Sequence, residues 1–361
     1  MRLFQNSALY PAYMPRLRRL TEGCDSFSAR IDAFLGDRFG APHFLLPVLS
    51  RHPDAFFTNG DDDATQRLWA KEQCMPGTPT LESILLAQIE AHRTEVFYNL
   101  DSVRYTSDFV RKLPGCVKKA VTWRAAPSRG SDFGAYDRIV CNFPSILDSY
   151  RKAGWNAAYF APAHDPLMDA YAVNTDRPID VLFVGGYTRH HRRRAELLEA
   201  VAGLGDTHSV VMHLDRSRAT RWAESAVGRM LPLGAHRRPE AIRQLSRPPI
   251  FGLDLYAALS RSKVVVNGAI DMAGADRGNM RCFEAMGSGC ALVSDDGHYP
   301  DGMIDQQTML TYEDTAAAIA AIQTALADPT RAQLLTDNAL RMIRATYSKA
   351  QQWLAFQGLL A

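Results

Sequence analysis

Short apolar runs recur along this chain, and stretches with helical spacing lie between them. The runs in the first half are AFFTN (55–59), EVFYNL (95–100), CVKKAVTW (116–123), RIVCNF (138–143) and AAYFAP (157–162). The segments DATQRLWAKEQ (63–73), TLESILLAQIEAHR (80–93) and PSILDSYRKAG (144–154) carry the helical pattern. A helix between two strands provides the crossover that parallel pairing requires. The alternation therefore predicts α/β units built on a parallel sheet.

The pattern stops once and restarts. Residues 162–178, PAHDPLMDAYAVNTDRP, are rich in Pro, Asp and Asn and read as a linker. IDVLFVGG (179–186) then begins a second series, with helix RRRAELLEAVAGLG, strand HSVVMHL (208–214), a helix near PEAIRQLS, helix DLYAALSRS (254–262) and strand KVVVNGA (263–269). Helical segments follow at 313–328 and 330–346, and an amphipathic piece spans 348–360. Two Rossmann-like domains are predicted, 1–165 and 179–346, with 166–178 between them and 347–361 as a terminal helix.

Composition excludes several function classes. The chain has 361 residues, 22% of them charged, with a formal charge of only +2. Neither half is strongly basic, so bulk nucleic-acid binding is not expected. Cys24, Cys74, Cys116, Cys141, Cys282 and Cys290 contain no Cys-x-x-Cys pair. They read as small apolar residues in a reducing compartment rather than zinc ligands. No apolar run has the length of a membrane span, and Gln, Asn and Pro interrupt the first residues where a signal peptide would be apolar. A cytoplasmic protein is expected.

The stretch ADRGNMRCFEAMGSGCALVSDD (275–296) holds most of the candidate chemistry. Residues 279–286 fit a short helix with Met280, Phe283 and Met286 on a core-facing stripe. Gly278 or Asn279 can cap its start, and Gly287 and Gly289 suit a left-handed turn at its end. CALVS then reads as a buried strand, and ligands of open α/β sheets bind beyond strand carboxyl ends. A helix start there offers backbone N–H groups to an anion, flanked by Arg277 and Arg281. Glu284, on the face of Arg281, can accept two hydroxyl hydrogen bonds from a ribose, and Asp276 can reach a second polyol. Phosphate, ribose and sugar in a row describe a nucleotide-sugar. The plainer reading is that Glu284 pairs with Arg281 and Asp276 caps a turn.

These residues resemble a family. The stretch is similar to the Glu-x7-Glu signature of the retaining GT-B glycosyltransferases, with Asp276 and Glu284 as the two acids. The resemblance is closer to CgeB-like members of glycosyl transferases group 1, which carry Asn-Met-Arg-x-[Phe/Tyr]-Glu-Ala, here Asn279 to Ala285. It extends through FGLDLYAALSRSKVVVNGAID (251–271) and, in the first half, through YDRIVCNFPSILDSYRKAGWNAAYFAPAHDP (136–166). Where those relatives often carry a histidine after the strand asparagine, this chain has Asn267-Gly268. The resemblance implies two Rossmann-like domains whose parallel sheets face a central cleft, a donor site in the second domain, an acceptor site mainly in the first, and a last helix that returns to the first domain. It also implies a nucleotide diphosphate sugar as co-substrate, no cofactor, no metal, and a glycan or lipid-linked glycan acceptor of a bacterial surface polysaccharide, with peripheral association with the inner membrane face as an option. An epimerase of the same fold and an inactive module serving as a partner subunit are the rival readings.

GGYTRHHRRR (185–194) follows the first strand of the second half. Gly185 and Gly186 let a phosphate approach backbone closely. The resemblance implies that Arg189 and Arg194, five apart, hold the diphosphate, with Arg192 and Arg193 as alternatives and a solvated basic face as the plain one. Donor contacts then comprise Gly185, Gly186, Arg277, Gly278, Asn279, Met280, Arg281 and Glu284, with Asp276, Arg189 and Arg194 at the reaction. At first-half strand ends, Asp101 is the candidate base for an inverting reaction, and Asn99 and Arg124 are candidate acceptor contacts; loop caps are the alternative for each. The acidic run of NGDDDATQ (59–66) mimics an Asp-x-Asp metal clamp, but Asp63 with Gln66 reads better as a capping box. His164 reads as a hinge contact.

Overall fold

The structure is a computed structural model that describes residues 1–187, 191–268 and 272–361, apart from the side chain of Ala235. The chain divides into two compact units. The first holds Met1–Ala163, Met272–Asp276 and Tyr347–Ala361, and the second holds His164–Asp271 and Arg277–Thr346.

The first unit is built on six parallel strands: β1 (Leu3–Ser7), β2 (Ala55–Asn59), β3 (Val96–Asn99), β4 (Lys119–Trp123), β5 (Arg138–Cys141) and β6 (Ala157–Tyr159). Their order is β2-β1-β3-β4-β5-β6. β1, a central strand, has no counterpart among the apolar runs above, because Gln5 and Asn6 interrupt its pattern. Both are fully buried. Their amides are satisfied in place: Gln5 donates to the His43 carbonyl at 3.1 Å and accepts from Leu45 N at 3.1 Å, while Asn6 accepts from Gly60 N at 2.9 Å. A buried polar side chain with its hydrogen bonds made costs little, so the strand keeps its place in the core. Helices Met14–Leu20 and Phe27–Gly36, also absent from the periodicity reading, follow β1.

Helix Lys349–Leu360 belongs to this unit. Phe356 is fully buried against the rings of Tyr98 and Phe160. Lys349 Nζ donates to the carbonyls of Ala41 and Phe44, each at 2.7 Å, and of Pro42 at 3.1 Å. A buried ammonium is tolerated only when its donors are used, and here three carbonyls and Gln352 Oε1 take them. Burial and the neighbouring Lys349 charge hold the His43 imidazole down to about 3.

The second unit repeats the architecture with β7 (Ile179–Gly186), β8 (Val210–Asp215), β9 (Ser246–Arg247), β10 (Ser262–Val266), β11 (Ala291–Asp295) and β12 (Leu310–Tyr312). All are parallel, in the order β12-β11-β10-β7-β8-β9. Val264 of β10 pairs with Val181 of β7 on one side and Ala291 of β11 on the other. These central strands are buried on both faces, as parallel strands under helices must be. The strand order reverses direction between β7 and β10, which makes their carboxyl ends the switch point where doubly wound sheets hold ligands. The segment 166–178 is not open: it contains helix Met168–Ala172, with Met168 fully buried.

Candidate functional site

A pocket of about 390 Å³ opens at the carboxyl ends of β10, β11 and β12 in the second unit. One wall is the start of helix Arg192–Gly203, with His191, Arg193 and Arg194; the other carries Asp295, Asp296 and Asp314. His191 stands at the N-cap position and makes no side-chain bond to the first turn. The amides of a first helical turn attract anions. Arg194 Nη2 donates to the Gly268 carbonyl, tying the helix to the end of β10. Gly268 has little room for a side chain, since a Cβ there would lie 3.3 Å from the Tyr312 hydroxyl.

Beneath the pocket runs a chain of buried polar groups. Asn267 donates to Ser294 Oγ at 2.9 Å and accepts from Asn279 Nδ2 at 3.1 Å. Tyr312 donates to the Asn267 carbonyl at 2.7 Å, and the Tyr299 hydroxyl lies 2.7 Å from Ser294 Oγ. Burial pushes both phenols well above the usual tyrosine range, so both stay protonated donors. Asn267 thus joins β10, β11 and helix Met280–Gly287, a role the sequence reading did not assign. Its only signal was a polar residue closing the run KVVV.

The helix Met280–Gly287 forms where the sequence placed it, with Asn279 as N-cap accepting from Arg281 N at 3.1 Å. Gly278 has φ 99°, a conformation that glycine alone adopts freely. Gly289 has φ 68° and provides the left-handed turn after the helix. Gly287 does not: it is the helix's last residue, and a Cβ on it would meet His164 Nδ1 at 2.6 Å and Met168 Sδ at 2.7 Å. The stripe is also wider than expected. Cys282, Phe283, Ala285 and Met286 are buried, whereas Met280 is half-buried. His164 is buried and bonded through Nε2 to Asp169 at 2.8 Å, a contact inside the second unit.

The candidate residues separate into groups. Arg194 and Arg277 line the pocket. Arg277 pairs with Asp295 at 2.5 Å, a contact not foreseen. Glu284 is 2% exposed and accepts from Arg281 Nη1 at 2.5 Å. Burial raises the Glu284 pKa, and the Arg281 charge opposes that rise. Gly185 and Gly186 close β7, where a Cβ on Gly185 would crowd the Phe183 ring at 3.1 Å and one on Gly186 would meet nothing. Arg189 lies outside the described residues.

Asp276 directly precedes Arg277 in the chain. It is buried in the first unit, where its Oδ2 accepts from Ser145 N at 2.6 Å. Ser145 is the second residue of helix Pro144–Lys152, whose own N-cap residue, Phe143, has no side-chain cap to offer. Asp276 therefore caps that helix from a distant part of the chain, and Ser145 Oγ donates to the Ala273 carbonyl at 2.9 Å.

The first unit holds the remaining candidates. Asn99, fully buried, accepts from Asn6 Nδ2 at 2.9 Å and from Asp101 N at 3.0 Å, and donates to the Tyr136 hydroxyl at 2.8 Å. It is a node of hydrogen bonds at the sheet end. Arg124 is pinned to its own loop, donating to the Pro127 carbonyl at 3.1 Å and lying 5.9 Å from the Phe133 ring centroid. The capping box does not form. Asp62 is the N-cap, Asp63 pairs with Arg67 at 2.9 Å, and Gln66 turns inward to Thr58 Oγ1 at 2.6 Å. Asp101 is 7% exposed and held by Arg104, at 3.3 Å from its amide and 3.4 Å from its guanidinium. Burial raises its pKa against the pull of Arg104. Asp61 accepts from Leu9 N at 3.0 Å, and burial, offset by that bond and reinforced by the Asp101 charge, pushes it up to about 6.

Among the described residues no group of three or more His, Cys, Asp or Glu side chains converges as a metal site, and no helix is long and apolar enough to cross a membrane. All six cysteines are free; Cys141, Cys282 and Cys290 are buried, whereas Cys74 is exposed.

Comparison with known proteins places this geometry. Residues 190–357 match the family model described as glycosyl transferase-like. No curated protein matches the chain in sequence. Among solved structures, HepE from Anabaena, in complex with UDP and glucose, is similar at 12% identity with a TM-score of 0.56, covering 100% of this chain and 99% of its own. Sucrose-phosphate synthase from Thermosynechococcus elongatus is similar at 14% identity with a TM-score of 0.54, covering 99% and 97%. A UDP-forming α,α-trehalose-phosphate synthase from Burkholderia vietnamiensis is similar at 14% identity with a TM-score of 0.55, covering 83% and 78%. The chain thus has the GT-B fold, and its residues 190–357 are similar to the glycosyl transferase-like family.

Proposed function

We propose that the protein is a glycosyltransferase that moves a sugar from a nucleotide diphosphate donor to a hydroxyl of a bacterial surface glycan, without a metal and with retention of configuration. The observation that carries this reading is the second-unit pocket at the strand carboxyl ends, where the start of a helix, with no side-chain cap from its own N-cap residue, meets Arg193, Arg194 and Arg277. Such an array stabilises negative charge as it develops on a departing diphosphate, and it acts most strongly where the charge is greatest. The UDP complexes of HepE support a uridine nucleotide as the first donor to test. Glu284, turned from Arg281 toward a ribose diol, would accept its two hydroxyls. In a retaining reaction the leaving phosphate oxygen takes the acceptor's proton as the new C–O bond forms, and no side-chain base is needed. In an inverting one, Asp101 and the neighbouring Asp61 are the carboxylates to examine. A cytoplasmic location at the inner membrane face, with a lipid-linked glycan as acceptor, fits this reading.

One observation favours a non-catalytic module: Glu284 and Asp276 both have protein partners. Calorimetric titration with nucleoside diphosphates, followed by donor hydrolysis in the absence of acceptor, separates the two. Binding with slow hydrolysis that survives EDTA is the expected result. Hydrolysis that EDTA abolishes and Mn²⁺ restores would remove the metal-independent mechanism, and nucleotide binding without turnover on any acceptor would support the module.

A further inference from the structure

A second cavity, of about 210 Å³, lies away from the nucleotide pocket in the same unit; its described lining holds Arg216, Arg229, Arg238, Arg243 and Arg247 with one acid, Glu224. It sits beside the carboxyl ends of β8 and β9, in the segment that joins them. Glu224 is already used. Its two carboxylate oxygens accept from Arg238 at 2.8 and 2.7 Å, and Arg238 also donates to Ser246 Oγ at 2.6 Å. Arg229 donates to the Glu224 carbonyl at 3.2 Å, and Arg243 pairs with Glu240 through Nη2. Arg243 Nε is buried with no hydrogen-bond partner among the described residues. Arg216 reaches Glu224 only at 3.9 Å. The cavity therefore gathers more positive charge than its own structure consumes. Arginines held this close repel one another, and an anion that several guanidiniums can share relieves that repulsion.

The same segment carries an unusual surface. Trp222 is 54% exposed, Val227 66%, Met230 87% and Leu231 39%. They belong to helices Arg218–Ala223 and Ala226–Arg229 and the residues just after. The segment is firmly built. Arg237 donates to the carbonyls of Ala223, Gly228, Arg229 and Leu231. A Cβ on Gly228 would lie 2.0 Å from the Trp222 carbonyl oxygen, so the two helices pack with no room between them. Apolar side chains held outward on a rigid element beside unspent arginines match an anionic lipid surface. The hydrocarbon inserts below the headgroups, and the phosphates meet the guanidiniums.

We infer that residues 216–247 form a docking platform for anionic phospholipid, with a headgroup phosphate in the arginine cavity and Trp222, Val227, Met230 and Leu231 in the interface. Nucleic acid would use the charge but has no call on Met230 and Leu231, so the apolar residues decide between the two. The inference deepens the membrane-side part of the proposed function. It is tested without nucleotide, so platform and donor site can fail separately.

The test is co-sedimentation of the full chain with vesicles of phosphatidylcholine alone and of phosphatidylcholine mixed equally with phosphatidylglycerol. Binding to the mixed vesicles only, weakened by salt, is expected. Arg216→Gln and Arg247→Gln should each weaken it about fivefold. Trp222→Ser with Met230→Ser should weaken it at least as much, and nucleotide titration should read the same for all variants. Equal binding to both vesicle types, or mixed-vesicle binding that survives the arginine or the apolar substitutions, overturns the platform. Single-stranded DNA that competes fully, with the apolar variants unaffected, assigns the cavity to nucleic acid instead.

Discussion

Glu284 shows how one residue serves two readings. A buried carboxylate 2.5 Å from a guanidinium is a structural pair, and it is also a group already desolvated for binding. A double-mutant cycle separates these roles. Glu284→Gln should destabilise the fold, because Arg281 loses its partner. In an Arg281→Met background that structural penalty should largely vanish. A loss of nucleotide affinity of about 1.5–3 kcal/mol should remain if Glu284 meets the ribose. Unchanged calorimetric affinity in the double variant would leave Glu284 with a packing role only. Asp61 provides a second residue-level test. Its pKa is raised from 3.8 to about 6, so the folded state favours the protonated form. The stabilisation this brings is complete below about pH 3.8 and is lost as pH rises through about 6. Asp61→Asn cannot titrate, so the melting-temperature difference between wild type and variant should change across that window and level off above it. A difference that stays constant from pH 4 to 7 would mean that Asp61 titrates normally. The acidic run at 61–63 was visible in the sequence. Its separation into an amide acceptor, an N-cap and a surface ion-pair partner was not, because Asp61 is fixed by Leu9, 52 residues away, and that placement sets which acid starts the helix.

At the scale of elements, periodicity located the strands with an unbroken apolar run, such as β7, β10 and β11, and most of the helices between them. It missed β1, whose Gln5 and Asn6 are satisfied by loops some forty and fifty residues away, and the short strands β9 and β12. The helix Met280–Gly287 was legible because its cap, its apolar stripe and its closing Gly289 are all local. The partner of Asp276 was not, since it lies 131 residues away. That capping contact makes a prediction of its own. Asp276→Ala should cost about 1 kcal/mol of stability, the scale of a lost N-cap. Asp276→Asn, which keeps an acceptor oxygen, should cost less. Should both variants instead lose turnover at saturating donor while chemical denaturation finds them as stable as wild type, Asp276 belongs at the reaction after all.

For the molecule as a whole, the sequence showed two α/β halves and a break near residue 165, but the compact units are not consecutive stretches. The first unit needs residues 272–276 and 347–361 as well as 1–163. The return of the last helix is what the family resemblance implies; the inclusion of 272–276 had no such signal, because a strand of chain that returns looks the same in composition as one that stays. Removing residues 347–361 should expose Tyr98 and Phe160, leave the Ala41 and Phe44 carbonyls without Lys349, and unfold the first unit while the second keeps its protected amides. Hydrogen exchange on the truncated chain would show this directly, and protection of β1 and β3 equal to wild type would refute it.

The same feature sets an order of events during synthesis. Domains generally fold as they emerge, with the amino-terminal one first. Here the amino-terminal sheet emerges early but cannot be closed until helix Lys349–Leu360 has left the ribosome, whereas every residue of the second unit has by then been made. The unit whose sheet is made first is thus the last to be completed, and its unfinished core is what chaperones would meet.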